Sequence, residues 1–105
     1  MNSADENGPV LFQIDESLRE LIPHFVVHQF EELEIMEAAL DNNDFKEIGR
    51  LGHSLKGAAA NFGLEPLCRL GATIHDVARL GMVNALIPLV QKYHTYLDEL
   101  KKQVS

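Results

Sequence analysis

The chain has 105 residues, the size of one domain, and its 46% hydrophobic and 24% charged residues are ordinary for a globular protein. A single cysteine excludes an intrachain disulfide framework and a multi-cysteine zinc site. No stretch approaches about 18 consecutive apolar residues, so no transmembrane helix and no membrane partner are expected. The net charge of -7 argues against nucleic acid as a partner, although residues 1–43 alone carry -9 and residues 44–81 carry +1.

The N-terminal segment is polar and acidic, without the basic and apolar regions of a signal peptide, so we expect a reduced, cytoplasmic protein. Residues 1–14 are predicted to form a loose tail and residues 15–105 a single domain. Asp15 can cap a short leading helix that begins at Glu16 and ends at about Ile22. Strand signals are absent, and the pattern is helical throughout.

Four longer amphipathic helices follow, each with apolar residues that recur at three- and four-residue intervals. They are predicted over residues 23–40, 44–63 and 64–81, and from residue 84 to the C-terminus. Short connections between long helices make neighbours antiparallel. The sequence therefore predicts an all-α fold: an antiparallel, up-down four-helix bundle with a short extra N-terminal helix.

The ends of these helices carry recognisable signals. Asp44 followed by Glu47 is an acidic capping box, and it opens the second long helix. Gly63 and Gly81 lie where C-terminal caps of the second and third helices are expected. Pro88 falls at about the fourth position of the last helix, where a missing N–H costs least.

The second long helix contains three glycines, each of which costs about 1 kcal/mol relative to alanine. Gly49 and Gly57 lie four residues before and after His53, where side chains would lie beside its imidazole. We interpret these two glycines as leaving His53 clear on an open face. Lys56, one turn on, would then hold the oxygens of an anionic group that the imidazole accepts as a nucleophile. The alternative is a surface histidine among packing glycines, with Gly52 allowing close helix contact.

The segment HSLKGAAANFG at residues 53–63, followed by LCRLG at 67–71, resembles the signature of histidine-containing phosphotransfer (HPt) domains. These domains are the carriers of multistep two-component phosphorelays. The family fold is a four-helix bundle with the phosphorylated histidine exposed on a helix, and the predicted helix order matches it over about residues 15–105. The resemblance implies that His53 accepts the phosphoryl group, in the family at the outward Nε2 atom.

Other site residues follow from the resemblance and from their position on the same helix face. Lys56 is expected to stabilise the phosphoryl oxygens, and Gly57 to keep the face open. The third long helix presents Cys68, Ala72, His75 and Arg79 as one stripe, which is either ordinary solvated surface or a border of the site. Expected contacts to the phosphoryl group or to a partner are Gly49, Arg50, Ala60, Asn61, His75 and Arg79. Ala60, Leu64 and the short first helix are candidates for an exposed docking patch.

The chain has neither a nucleotide-binding loop nor a kinase signature, so it is not expected to be an enzyme that phosphorylates itself from ATP. The resemblance implies that response-regulator receiver domains and a hybrid sensor histidine kinase are the partners. The predicted function is to shuttle a phosphoryl group between receiver aspartates through His53. The receiver's acidic pocket supplies Mg²⁺, so no cofactor or metal of its own is expected, and the chain is expected to be monomeric.

Two other functions are compatible with parts of the sequence. The first is a catalytically silent module that docks a receiver or kinase, although the intact His53, Lys56 and Gly57 argue against it. The second is a metal or redox protein that uses His24, His28 or Cys68. The two histidines share an i, i+4 spacing, but they have no third ligand nearby in sequence, and a solvated helix face and a packed thiol are expected instead.

Overall fold

The computed structural model describes residues 10–105, and within this range it contains one short 3₁₀ helix, four α-helices and no strand. The 3₁₀ helix spans Glu16–Leu21, α1 spans Ile22–Asp41, α2 spans Phe45–Asn61, α3 spans Glu65–Arg79 and α4 spans Val83–Val104. The four long helices predicted from the sequence are all present, with ends that differ by no more than about two residues. The all-α prediction is confirmed.

Three residues connect each α-helix to the next, so consecutive helices run antiparallel. The α2–α3 and α1–α4 pairs make the most extensive contacts, and the α3–α4 and α1–α2 contacts close the bundle. The 3₁₀ helix packs against α1. None of the helices in this part of the chain is both long and apolar enough to span a membrane.

The core is a single cluster to which all four α-helices contribute their apolar stripes. Burial of these side chains is the main favourable term for a bundle of this size. The largest fully buried side chains are Ile22, Leu33, Met36, Ile48, Leu51, Leu55, Leu64, Leu67, Ile74, Leu86, Tyr93 and Leu97.

One polar pair lies inside this apolar core. The Tyr93 hydroxyl on α4 donates a hydrogen bond of 2.6 Å to Oε1 of Gln29 on α1, and both residues are buried. Burial raises the pKa of the Tyr93 phenol, because a phenolate would lose its hydration there. The pair satisfies two polar groups at once and ties the first α-helix to the last.

The segment that precedes the 3₁₀ helix packs against the bundle. Phe12 is only 4% exposed and meets the Tyr96 ring edge-on at 6.4 Å. Its backbone N–H donates to Oε1 of Gln103 at 3.0 Å, and the Gln103 amide donates to the Phe12 carbonyl. The predicted loose tail, residues 1–14, therefore differs from the structure over residues 10–14, because Phe12 finds an apolar site and Gln103 satisfies its backbone. Residues 1–9 lie outside the described range.

The helix ends follow the predicted signals with two differences. The Asp44 carboxylate accepts from the backbone N–H of Glu47 at 3.2 Å. The Glu47 carboxylate binds Arg50 and does not accept from the backbone N–H of Asp44, as a full capping box would require. Glycines 63 and 81 adopt φ of 68° and 66° in the connections after α2 and α3, as their capping role requires. Because α4 begins at Val83, Pro88 is its sixth residue and lies past the first turn, deeper than predicted.

Candidate functional site

The backbones of α2 and α3 approach each other closely at Gly52 and Gly71. A Cβ atom on Gly52 would lie 2.8 Å from the backbone nitrogen of His75 and 2.9 Å from the backbone oxygen of Gly71. A Cβ atom on Gly71 would lie 2.6 Å from both the backbone oxygen of Gly52 and the backbone nitrogen of Lys56. The interpretation of Gly52 as a close-contact glycine is therefore correct. Gly71 is its partner across this contact. Sequence reasoning missed Gly71, although a glycine at the centre of the facing helix was a signal that could have found it.

The two glycines that flank His53 differ from each other. Gly57 is exposed, and a Cβ atom there would meet no atom of residues 10–105 within 4 Å. Gly49 is buried, and its Cβ atom would touch the Ala78 side chain at 3.7 Å and Nδ1 of His75 at 3.8 Å. Gly57 therefore lies on an open face. The side of the helix at Gly49 is covered by α3, which differs from the interpretation that both glycines clear the face around His53.

His53 is exposed on the outer surface of α2, and α3 presents a second histidine to it. The rings of His53 and His75 lie 5.6 Å apart between centroids, at an interplanar angle of 52°. His75 is half-buried, and its Nδ1 lies 3.1 Å from the carbonyl oxygen of Gly49. A carbonyl can only accept, so Nδ1 carries the proton and Nε2 of the neutral ring holds the lone pair. The predicted stripe on the third long helix thus borders His53 through His75.

Arg50 and Arg79 line the same groove as His75, and Lys56 follows His53 by three residues on α2. Arg50 donates from Nε and from an Nη atom to the two carboxylate oxygens of Glu47, at 2.7 and 2.8 Å. These bonds lower the pKa of the Glu47 carboxyl and raise that of the Arg50 guanidinium. Lys56 and Arg79 are exposed, and neither forms an ion pair within the described residues. The site therefore has exposed cations available for an anion, of the kind that phosphoryl oxygens require.

The residues at the C-terminal end of α2 lie farther away. Ala60 and Asn61 are exposed, but they follow His53 by two helical turns, which is about 10 Å along the axis. The structure therefore places them outside direct contact with an atom bound to His53. Leu64 is completely buried, so its expected place in an exposed docking patch is wrong. It belongs to the core because the turn after Gly63 directs it between the helices.

The residues of the metal and redox alternative are scattered. His24 and His28 are exposed on α1, and within residues 10–105 the one ion pair that involves either of them is His28 with Glu31, at 3.9 Å. Cys68 is a half-buried free thiol on α3. Within residues 10–105, no three His, Cys, Asp or Glu side chains gather in a metal-binding arrangement.

The fold and the exposed histidine together define a helical phosphotransfer domain. The family model described as the Hpt domain matches residues 20–103, which is most of the chain. The chain belongs to this family, and it is thus a histidine phosphotransfer domain of two-component signalling. Hpt domains are phosphotransfer carriers and not kinases, and they interact with response-regulator receivers and kinases in phosphorelays. Comparison with curated proteins and with solved structures found no significant match.

Proposed function

We propose that the protein carries a phosphoryl group on Nε2 of His53 and shuttles it between the aspartates of receiver domains. The observation that supports this most directly is the placement of His53 on the outer face of α2, exposed, beside the open surface at Gly57. A partner protein can reach the imidazole there without moving any element of the bundle. The neighbouring His75 is only half-buried, and its Nδ1 is engaged with the carbonyl oxygen of Gly49.

The transfer itself asks for one nucleophile and accurate positioning. The Nε2 lone pair of neutral His53 attacks the phosphorus of an aspartyl phosphate on the receiver. An N–P bond forms, the O–P bond of the acyl phosphate breaks, and its electron pair leaves with the aspartate carboxylate. Nδ1 keeps its proton, so no proton must move in this step. The reverse reaction on a second receiver releases the group again.

The residues around His53 neutralise the phosphoryl oxygens, orient the site and leave space for the partner. Lys56 lies one turn along α2, on the same face, and its ammonium group neutralises the phosphoryl oxygens. His75 is held by the carbonyl of Gly49, so its ring is already oriented when the phosphoryl group arrives. Gly57 leaves room for the partner, and Arg50 and Arg79 contact it at the border of the site. Gly49 acts through His75, and Ala60 and Asn61 lie at the far edge of the contact.

The partners supply what the carrier does not. The donor and the acceptor are receiver domains, including one linked to a hybrid sensor kinase, and Mg²⁺ is bound by the acidic pocket of the receiver. The carrier itself acts without a cofactor and without ATP. We place the protein in the cytoplasm. We expect it to be a monomer, because the apolar stripes of its four α-helices are buried inside the bundle.

The test is phosphotransfer from a radiolabelled phospho-receiver to the wild type and to His53→Gln. His24→Gln is the matched control, since His24 is also an exposed histidine, on α1. We expect acid-labile, base-stable label, as phosphohistidine requires, on the wild type and on the control but not on His53→Gln. Label on His53→Gln would refute the assignment of His53. Unlabelled wild type with a panel of competent receivers would favour the silent docking module.

A further inference from the structure

A shallow groove of about 410 Å³ runs beside the phosphoryl site, between the first turns of α2 and the last turns of α3. Phe45 and Ala78 form part of its apolar floor. One wall is His75, the residue whose ring also approaches His53, so the groove is continuous with the site. All four titratable side chains that line it are basic or imidazole groups: Lys46, Arg50, His75 and Arg79.

The charge of the groove contrasts with that of the chain. The protein carries a net charge of -7, yet among residues 10–105 no carboxylate lines the groove. Arg50 is neutralised by Glu47, but Lys46 and Arg79 form no ion pair within residues 10–105. Two uncompensated cations therefore flank an apolar floor. A surface of this kind attracts and orients an acidic partner.

An exposed apolar edge extends the groove at the end of α3. Leu80 is 71% exposed and Met82 is 51% exposed, on either side of the turn at Gly81. This turn lies against the groove, because a Cβ atom on Gly81 would be 3.9 Å from the Phe45 ring. Protein interfaces combine an apolar centre with a charged rim, and the groove and this edge together supply both.

We infer that this groove is the docking surface for the receiver domain, and that it binds the acidic surface around the receiver's phosphorylated aspartate. The inference rests on the proposed function. A receiver whose aspartate reaches His53 lies next to His75 and hence over the groove, where its carboxylates meet Lys46 and Arg79. Docking is thereby centred on the start of α2, with Ala60 at the far edge of the contact.

The experiment compares two double variants with the same change in charge and hydrophobicity. Lys46→Glu/Leu80→Asp alters the groove and its edge. Lys101→Glu/Leu11→Asp is the control: Lys101 and Leu11 are exposed, and α4 packs on α1 and α3, across the bundle from α2. Each protein is assayed for kcat/KM of transfer from a phospho-receiver at low and high salt, and for labelling of His53 by the small molecule phosphoramidate.

We expect kcat/KM of the groove variant to fall about tenfold at low salt, and the deficit to shrink at high salt, because the lost attraction is electrostatic. Labelling by phosphoramidate, which needs no docking, is expected to match the wild type in both variants. Receiver transfer by the groove variant at the wild-type rate, or an equal loss in the control, would overturn the inference. Wild type that is labelled by neither donor would instead overturn the proposed function.

Discussion

Gly52 and Gly71 face each other across the α2–α3 contact so closely that a methyl group on Gly71 would lie 2.6 Å from the backbone oxygen of Gly52. This contact sets the spacing of the two helices that carry the site. His75 follows Gly71 by one turn, and its backbone nitrogen would lie 2.8 Å from a methyl group on Gly52. The distance between the His53 and His75 rings therefore depends on two missing side chains.

Gly71→Ala is expected to lower the free energy of unfolding by about 1–3 kcal/mol, because the helices must separate to admit the methyl group. Urea denaturation followed by circular dichroism measures the change. We also expect slower transfer to His53, since α3 carries His75 away from it.

Gly57→Ala is the matched control for Gly71→Ala, because its methyl group meets open space on the same helix pair. It is expected to raise the free energy of unfolding by about 0.5–1 kcal/mol through helix propensity. Equal destabilisation by the two alanines would show that the backbone contact is not what limits the α2–α3 spacing.

His75→Gln should preserve transfer within about threefold, whereas His75→Ala should slow it roughly tenfold. The glutamine amide can still donate to the Gly49 carbonyl, and the loss of one oriented hydrogen-bonding group costs about 1–1.5 kcal/mol. Single-turnover transfer rates between pH 5.5 and 8 are the measurement. Identical rates for alanine and wild type would exclude a positioning role for His75.

Lys56→Ala is expected to reduce the rate of transfer about tenfold, because the phosphoryl oxygens lose a charge-assisted partner. Lys56→Arg keeps the charge and should retain most of the rate. Both substitutions are on the surface and should change the free energy of unfolding by less than about 0.5 kcal/mol. A loss of rate that arginine does not restore would point to the lysine's shape instead of its charge.

The stability of the protein should fall as the pH rises above about 10, the ordinary pKa of a phenol. Burial raises the pKa of Tyr93, so above pH 10 the unfolded chain releases a proton that the folded chain keeps. The folded state then binds more protons than the unfolded state, and the free energy of unfolding decreases with pH. Urea denaturation between pH 8 and 11 measures this slope.

Tyr93→Phe should remove the Tyr93 contribution to that slope and lower the free energy of unfolding at pH 7 by about 1–3 kcal/mol, since Oε1 of buried Gln29 loses its donor. Tyr96→Phe is the control, because Tyr96 is only half-buried. If the pH dependence of the free energy of unfolding persists in Tyr93→Phe and vanishes in Tyr96→Phe, the effect comes from Tyr96 and the prediction is wrong.

Much of the fold could be predicted because its signals are local. Asp15 and Asp44 cap the helices they were expected to cap, and Gly63 and Gly81 adopt the positive φ that ends a helix. Apolar periodicity marked the buried face of each helix. The buried pair of Gln29 and Tyr93 carried no such signal, because a polar residue within an apolar stripe reveals its partner only when two distant helices meet.

By itself, the sequence determined the four helices and their order and singled out His53 as the candidate histidine, since periodicity, caps and the motif around His53 act within a few turns of chain. The tertiary structure alone decided what surrounds that histidine. It buried Gly49 and Leu64, paired Gly52 with Gly71, and brought His75 to 5.6 Å from His53. These relations join residues that are far apart in the chain, so they exist only once α2 and α3 pack backbone to backbone.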